Sequence, residues 1–266
     1  MRAVVRVDAS EQIGLGHAMR CLALAQVLRS QGAEVDFICR TLSGHAMDLI
    51  RAQGFRVVAL RAPTLGDVIT ERRTKHAEWL GVDWFVDRDE TLSVLQTMET
   101  PDWLIIDNYA LDDGWERAMR GKVRNILVID DLSDRRHDCD ALLNQNYAQD
   151  PRSQYHGLLG DSARILAGPR YALLRPEFAA IRATVGKRLN VLKRLLVFLG
   201  GADPHNETGK VLQALEHPDF EALTVDIVVG ASNPHLRAIM DRCVSRPRWQ
   251  THSHIPDFHR LMVEAD

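Results

Sequence analysis

The sequence predicts an α/β protein whose parallel sheets are of the doubly wound kind. Short apolar runs rich in β-branched residues alternate with helical patterns along the 266 residues, and this alternation requires parallel strands joined by right-handed crossovers. Two of the runs end in a glycine-bearing loop that leads into a helix, at residues 8–17 and 200–206. A polar stretch at residues 182–190 separates them. We therefore predict two domains, over residues 1–186 and 187–266.

Six or seven strands are predicted before residue 170. They are residues 3–7, 34–39, 56–60, 103–107, 125–130, 141–144 and 164–167. The first helix is predicted because apolar residues recur every three or four residues between Ala18 and Leu28, and it ends before Gly32. Ser43 is a candidate cap for the helix that ends near Gln53. Residues 62–100 give only a weak helical pattern near 90–98.

The second domain repeats this architecture with fewer elements. Strands are predicted at residues 192–199 and 223–229, and helices end near 216, begin near 233 and cover 258–265. This is about two and a half β/α units, fewer than a well-buried parallel sheet needs. Either the two domains share a core, or the C-terminal domain is incomplete.

Composition excludes several classes of partner. The formal net charge is −3, and no run of like charge is long enough to form a tail, so we expect no nucleic acid and no anionic membrane partner. The four cysteines lie far apart, and the N-terminus lacks the continuous apolar segment of a signal peptide. No apolar stretch approaches the roughly 20 residues that span a bilayer. We predict a reduced, cytoplasmic protein.

The loop after the first strand carries the strongest candidate for chemistry. His17 stands at the mouth of the first helix, and a helix N-terminus favours the neutral imidazole that accepts a proton. Gly14 and Gly16 allow the backbone to approach a ligand, and Arg20, one turn after His17, can contact phosphate or sugar. The alternatives are a histidine that only packs or caps, a tight turn without a ligand, and a solvated arginine.

Polar residues follow several strands, at the edge where open α/β sheets bind ligands. Asp8 can orient His17 or bind sugar hydroxyl groups, and Ser10 of the same loop is a further candidate for substrate binding; a capping role is equally possible for either. The triplet 107–109 is a candidate sugar contact, and Asn144 can bind an acetamido group. Ordinary loop chemistry is an equal alternative for these residues, and also for the acidic pair Asp130 and Asp131. The triplet consists of Asp107, Asn108 and Tyr109.

The second glycine loop is a candidate diphosphate site. Gly200 and Gly201 precede a helix, where unpaired backbone amides and the helix dipole favour an anion. Asp203 and Asn206 belong to the same loop, and Asn206 can act as the helix cap instead. A simple turn is the alternative for the whole loop.

We predict no metal site and no cofactor. Asp138-Cys139-Asp140 has the D-x-D form of some metal-dependent transferases, but it lies among short strands and turns. His252-x-His254 and His137-x-Cys139 have too few ligands for zinc.

A set of motifs in a fixed order resembles the UDP-sugar hydrolases of pseudaminic acid biosynthesis, over nearly all of the chain. The motifs are Asp8-x-Ser10, Ile13-Gly14-x-Gly16-His17-x-x-Arg20, Asp130-Asp131-Leu132, His137-x-Cys139-Asp140, Leu142-Leu143-Asn144-Gln145 and Gly168-Pro169-x-Tyr171-Ala172-Leu173-Leu174-Arg175-Pro176-Glu177-Phe178. Family members continue past the position of Asp266 with a strand and a Glu-bearing helix that contribute to nucleotide binding. The resemblance therefore supports an incomplete C-terminal domain.

The resemblance implies two Rossmann-like domains in the GT-B-like arrangement of the transferase that forms lipid II. It implies cleavage of UDP-2,4-diacetamido-2,4,6-trideoxy-β-L-altropyranose to UDP and free sugar, with inversion, and with His17 as the catalytic base. UDP would bind at the loop of Gly200 and Gly201, and the enzyme would be a metal-independent monomer without a cofactor. A glycosyltransferase and a nucleotide-sugar-binding module without turnover remain the alternatives.

Overall fold

The computed structural model describes residues 1–188, 190–201, 203–231, 233–253 and 257–266. These divide into two compact units, 1–175 and 176–266, whereas the boundary was predicted at residue 186. The difference arises because the short helix Pro176–Arg182 packs on the helix Phe258–Glu264 of the second unit. The rings of Phe178 and His259 lie 6.2 Å apart across this contact.

The first unit contains a seven-stranded sheet in which all pairings are parallel. Its strands, in chain order, are β1 (Arg2–Val7), β2 (Glu34–Arg40), β3 (Arg56–Leu60), β4 (Trp103–Asp107), β5 (Asn125–Ile129), β6 (Ala141–Asn144) and β7 (Arg164–Ala167). Its α-helices are α1 (Gly16–Ser30), α2 (Met47–Ala52), α3 (Trp84–Gln96), α4 (Asp113–Met119) and α5 (Pro151–Gln154). The predicted doubly wound architecture of this unit is confirmed.

The strand order is β3-β2-β1-β4-β5-β6-β7, so the chain reverses direction across the sheet between β1 and β4. Apolar side chains from both faces of the central strands are buried, with Val5 on one side and Val4 on the other. Open α/β sheets bind ligands outside the carboxyl ends of the strands at such a reversal. In this unit the loops that follow β1 and β4 occupy that position.

One local prediction is wrong, and one helix begins earlier than predicted. Ser43 does not cap α2, because its hydroxyl group donates to Glu11 Oε1 at 3.0 Å and the residue before α2 is Ala46. The weak helix predicted near residues 90–98 begins earlier, at Trp84, after Asp83. The loop before this helix shows no apolar periodicity in the sequence. Hydrogen bonds between polar groups help to hold it, such as those that Thr70 donates to the Asp83 carboxylate.

A buried ionic cluster holds α3 against the sheet. Asp87 accepts hydrogen bonds from Arg6 of β1 at 2.6 Å and from Arg40 of β2 at 2.8 Å. It also accepts one from the Trp115 indole at 3.1 Å, and all four residues are fully buried. Burial alone would raise the pKa of Asp87, but the two guanidinium charges outweigh it and hold the pKa below its usual range.

Replacing Asp87 by Asn is expected to destabilise the first unit by about 3–5 kcal/mol, because two guanidinium groups would remain buried without their counter-charge. The matched control is Asp89→Asn, two residues further along α3, where the carboxylate is exposed and surface ion pairs contribute about 0–1 kcal/mol. Urea unfolding of both variants measures the difference. Equal midpoints for the two variants would contradict the structural importance of the cluster.

The second unit contains a three-stranded parallel sheet in the order β10-β9-β8. Its elements are α6 (Pro176–Arg182), β8 (Arg194–Val197), α7 (Glu207–Ala214), β9 (Thr224–Val228), α8 (Leu236–Val244), β10 (Trp249–His252) and α9 (Phe258–Glu264). Strand β10 was not predicted, because its sequence Trp-Gln-Thr-His has only one strongly apolar residue. Across the described ranges of both units, no helix is long and apolar enough to cross a membrane.

Candidate functional site

The loop after β1 and the end of β4 meet because these strands are neighbours in the sheet. Val7 and Asp107 are paired in the parallel register, and each is the last residue of its strand. The chain then runs from Val7 through the glycine loop to α1, which begins at Gly16. His17, in the first turn of α1, is therefore brought to Asp107 although 90 residues separate them in the sequence.

The Asp107 carboxylate is the centre of the site and is 1% exposed. It lies 2.6 Å from His17 Nδ1, and it accepts two hydrogen bonds of 2.6 Å from the Arg20 guanidinium. The Cys21 thiol donates to it at 3.4 Å. Burial alone would raise the pKa of Asp107, but the hydrogen bonds from Arg20 and His17 outweigh it and lower the pKa. Asp107 is therefore an ionised acceptor that His17 and Arg20 share.

This contact determines which nitrogen of His17 is basic. An ionised carboxylate only accepts hydrogen bonds, so the ring proton lies on Nδ1 and donates to Asp107. The lone pair is then on Nε2, the nitrogen remote from the carboxylate. A histidine oriented by a buried carboxylate through Nδ1 is the arrangement that general bases use in hydrolytic enzymes.

Tyr109 and Asp131 extend the site on the side of β5. The Tyr109 hydroxyl donates to Asp131 Oδ1, and Asp131 Oδ2 accepts from Arg20 at 3.1 Å. Burial and the hydrogen bond to Asp131 raise the pKa of Tyr109, so the phenol remains protonated. Its ring meets the His17 ring edge to face, with centroids 4.6 Å apart.

Two aromatic residues that sequence reasoning missed complete the surroundings of His17. Trp79 lies 5.8 Å from the His17 ring and 5.5 Å from the Tyr109 ring, and His76 lies 4.5 Å from Trp79. Trp79 belongs to a one-turn 3-10 helix, Ala77–Leu80. The only sequence signal was the His-x-x-Trp spacing, which places two rings on one face of a helical turn.

Asp8 does not orient His17, because Asp107 makes that contact. The Asp8 carboxylate accepts from Arg6 at 2.6 Å, from the Arg40 backbone at 2.7 Å and from the Asn108 amide at 2.9 Å. Asp8 and Asn108 are 2% and 4% exposed. Their polar atoms therefore join the end of β4 to the buried ionic cluster, which supports a positioning role; their predicted contacts with substrate are not tested by these bonds.

The glycine loop is a tight turn. The Ser10 carbonyl oxygen accepts from Gly14 N at 2.8 Å, and the Ser10 hydroxyl oxygen accepts from Ile13 N at 3.0 Å. Gly14 has a φ of +76°, a conformation that favours glycine, whereas Gly16 does not. Gly16 thus adopts a backbone conformation that other residues also allow, and a Cβ at this position would meet open space.

Asn144 lies at the end of β6 but is 4% exposed. Its amide nitrogen donates to the Tyr155 hydroxyl at 3.1 Å, and its oxygen accepts from Asn146 N at 3.0 Å. Tyr155 in turn donates to the Asp130 backbone oxygen at 2.8 Å. The structure thus uses Asn144 to hold neighbouring loops, and its predicted contact with an acetamido group stays a prediction.

A buried histidine supports the loop that carries Asp130 and Asp131. His137 Nδ1 lies 2.7 Å from Glu116 Oε1, and Nε2 lies 3.8 Å from Asp130 Oδ2. The Arg135 guanidinium faces the same cluster, 2.7 Å from Asp130. Burial alone would lower the pKa of His137, but the negative charge of Glu116 and the nearby Asp130 carboxylate outweigh it and raise the pKa to about 9. His137 is therefore a buried imidazolium at neutral pH.

This raised pKa predicts a loss of stability in alkali. A histidine with a pKa of about 9 when folded and 6.5 when unfolded stabilises the protein fully below pH 6.5, and the contribution disappears as the pH rises through 9. The expected loss is on the order of 3 kcal/mol. Urea unfolding across this pH range measures it, and His137→Gln should remove the dependence. If the free energy of unfolding depended on pH equally in His137→Gln and in wild type, His137 would not be the group responsible. His156→Gln, at an exposed histidine, is the control.

In the second unit, the loop between β8 and α7 contains Gly200, which has a φ of +92°. Asp203 accepts from the Glu207 and Thr208 amides at 2.9 Å each, and Asn206 accepts from Gly209 N at 3.2 Å. Asp203 and Asn206 therefore cap α7, and they occupy the amides that an anion would use at the start of this helix. Nucleotide contact at Gly200 and Gly201 stays a prediction. Ala202 of this loop lies outside the described residues.

The carboxylates of the D-x-D sequence are paired with arginine. Asp138 lies 2.9 Å from Arg120 Nη2, and Asp140 lies 2.7 Å from Arg120 Nη1. His252 bonds to Asp226 at 2.8 Å, and His254 lies outside the described residues. Within the described ranges, no three His, Cys, Asp or Glu residues are placed to hold a metal ion.

Two curated proteins resemble the chain over most of its length. A UDP-2,4-diacetamido-2,4,6-trideoxy-beta-L-altropyranose hydrolase from Campylobacter jejuni is 27% identical over 90% of the chain, which covers 73% of that protein. The uncharacterized protein MJ1062 from Methanocaldococcus jannaschii is 21% identical over the whole chain. The chain spans 51% of the length of MJ1062. No protein-family model matches the chain.

Solved structures show the same fold. MurG from Acinetobacter baumannii matches 99% of the chain with a TM-score of 0.54 and 14% identity, and the chain covers 70% of MurG. UGT89C1 from Arabidopsis thaliana, solved with UDP, matches 96% of the chain with a TM-score of 0.59 and 12% identity, and the chain covers 70% of it. The protein therefore has an α/β fold with Rossmann-like units, similar to the GT-B fold of these solved structures, and the predicted fold class is confirmed.

Proposed function

We propose that the protein hydrolyses a UDP-linked diacetamido-trideoxy sugar, UDP-2,4-diacetamido-2,4,6-trideoxy-β-L-altropyranose, to UDP and free sugar. The observation that carries this proposal is the pair of His17 and Asp107, in which a buried carboxylate holds a histidine with Nε2 as its basic nitrogen. The name of the Campylobacter jejuni relative, 27% identical over 90% of the chain, supports the substrate.

The reaction is a single displacement by water. His17 Nε2 accepts a proton from water as the water oxygen bonds to the anomeric carbon. The bond from that carbon to the diphosphate oxygen breaks, and its electron pair leaves with UDP. Attack opposite the leaving group inverts the anomeric centre. Because UDP is a stable leaving group, the reaction requires no strong general acid.

In this proposal, Arg20 is a preorganised contact for the substrate. Its guanidinium is held by Asp107 and by Asp131, so its position in the site is fixed before substrate binds. The predicted contact of Arg20 with phosphate or sugar would then cost little ordering, which is the advantage of a preorganised site.

Incubation of the protein with this UDP-sugar and detection of UDP and of the reducing sugar tests the proposal. We expect equimolar release of both products without an added acceptor. If UDP is released only when an acceptor alcohol is present, the protein is a glycosyltransferase and the proposal of hydrolysis is wrong. Binding of the UDP-sugar without product formation would replace it by a binding module.

The nucleotide-binding loop is tested by Gly230→Ala. Gly230 follows β9, and a Cβ there would overlap the backbone of Gly201, so the Gly200–Gly201 loop must move. We expect the Kd of UDP to rise at least about tenfold, equivalent to about 1.4 kcal/mol. The matched control is Gly186→Ala, where open space surrounds the glycine. Equal UDP affinity of the two variants in calorimetry would remove this loop from the proposal.

A further inference from the structure

We infer that a small cavity that shares Trp79 with the surroundings of His17 binds an N-acyl substituent of the substrate sugar. The cavity has a volume of about 240 Å³ and lies between the loops after β1 and β2 and the turn that carries Trp79. We name it the Trp79 cavity; Ser10, Glu11, Leu42, Ser43 and Trp79 line it. This inference rests on the proposed UDP-sugar function and adds where one substituent of the sugar is recognised.

The position of the Trp79 cavity connects it to the reacting centre. Trp79 lines the cavity and also packs within 5.8 Å of the His17 ring, and Ser10 belongs to the loop that leads to His17. Ligand pockets commonly exceed about 300 Å³, so a volume of about 240 Å³ suits one part of a sugar rather than a whole nucleotide sugar. A sugar whose anomeric carbon faces His17 can therefore place one substituent in the cavity.

The lining of the cavity matches the three parts of an acetamido group. The Trp79 indole offers an apolar surface for the methyl group. The Ser10 hydroxyl accepts from Ile13 N at 3.0 Å, and its own proton, which takes no part in that bond, can donate to the acyl oxygen. The Glu11 carboxylate, exposed and bonded to Ser43 at 3.0 Å, can accept from the amide N–H. A hydroxyl substituent would use only part of this set.

The cavity wall is held in place before a ligand binds. Glu11 N donates to the Ser43 backbone oxygen at 2.9 Å, which joins the loop after β1 to the loop after β2. Gly44 has a φ of +80°, and a Cβ there would come within 2.9 Å of Glu11 N. The close approach of the two loops thus depends on glycine, and the positions of Ser10 and Glu11 are fixed by the backbone.

Charge selects against acidic sugars in the same cavity. Glu11 and Glu78 both line it, and Glu78 is paired with Arg72 at 2.7 Å. The charge of Glu11 would repel a sugar carboxylate, whereas a neutral acylamino group carries no such penalty. The ligand class is therefore a neutral N-acylated amino sugar rather than a uronic acid.

The test compares three ligands on a background that cannot turn them over. In His17→Asn, the Kd values are measured for the UDP-diacetamido sugar and for its two analogues in which one acetamido group is replaced by a hydroxyl group. We expect one analogue to bind at least about tenfold more weakly, within the range by which lost substituent contacts discriminate ligands. Adding Trp79→Leu or Glu11→Ala should reduce that ratio to about twofold or less, by weakening the ligands that keep the acetamido group bound in the cavity.

The matched control is Trp249→Leu, a half-buried tryptophan in the second unit, which should leave the ratio unchanged. Equal affinity for all three ligands on the His17→Asn background would overturn the inference and leave UDP-sugar binding intact. The inference would also be overturned if the ratio of the Kd values stayed unchanged in both Trp79→Leu and Glu11→Ala. The same holds if Trp249→Leu lowered that ratio as much as they do. Failure of all three ligands to bind would reject the proposed function, and the inference with it.

Discussion

Replacing His17 by Asn is expected to lower kcat for UDP release by about 10²–10⁴-fold, the contribution typical of a general base. Asparagine is short and polar, so it suits the space beside Asp107, but it has no nitrogen that can accept a proton. The Kd of UDP should change less than about twofold, since His17 is proposed to act on water and not on the nucleotide. Steady-state kinetics and calorimetry measure the two effects separately.

The control for this variant is His156→Asn, an exposed histidine in the same unit, which should retain full activity. Full activity in His17→Asn would exclude His17 as the base.

Replacing Asp107 by Asn is expected to affect both catalysis and stability. The amide of the new side chain can donate to His17 Nδ1, which would move the ring proton to Nε2. Nε2 could then no longer accept a proton from water. Loss of such a carboxylate lowers kcat by up to about 10⁴-fold in hydrolytic triads. Arg20 would also lose its main counter-charge, which we expect to cost about 3–5 kcal/mol because the pair is buried.

Nitrogen-15 NMR of the His17 ring tests the positioning role of Asp107 directly. The wild-type ring should carry its proton on Nδ1, and the ring in Asp107→Asn should carry it on Nε2. The exposed Asp161→Asn is the control for activity and unfolding. An unchanged tautomer together with unchanged kcat in Asp107→Asn would show that this carboxylate does not position the base.

The sheet of the first unit could be predicted from the sequence because its strands are short, apolar and separated by clear stops. The bounds of β3, β4, β6 and β7 were predicted to the residue. The edge of the sheet that carries the site was also predictable, since polar residues that follow parallel strands must emerge on one side. Asp107 and His17 were therefore both candidates.

Their pairing was not predictable, because it depends on the strand order. Nothing in the chain indicates that β4 adds beside β1, so the sequence offered Asp8, a near neighbour of His17, as one possible partner, beside sugar binding and capping roles for Asp8. The structure uses Asp8 for Arg6 instead. Tertiary contacts decide the role of an acidic residue more strongly than its distance along the chain.

Trp79 escaped prediction for a related reason. It lies in a segment that follows no helical or strand period, and a one-turn helix is too short to produce one. Asp203 is a related case, since a polar residue in a glycine loop suggested a ligand contact and its carboxylate caps α7; its contact with a nucleotide stays a prediction. The roles of both residues depend on local backbone geometry, which cannot be predicted from composition.

The most direct test of the central claim, that water attacks the anomeric carbon, is hydrolysis in water enriched in oxygen-18. The label should appear on the anomeric hydroxyl group of the released sugar, because that carbon–oxygen bond forms while the bond to UDP breaks. UDP should remain unlabelled. Label in the terminal phosphate of UDP would mean that water attacks phosphorus, and it would contradict the proposed reaction.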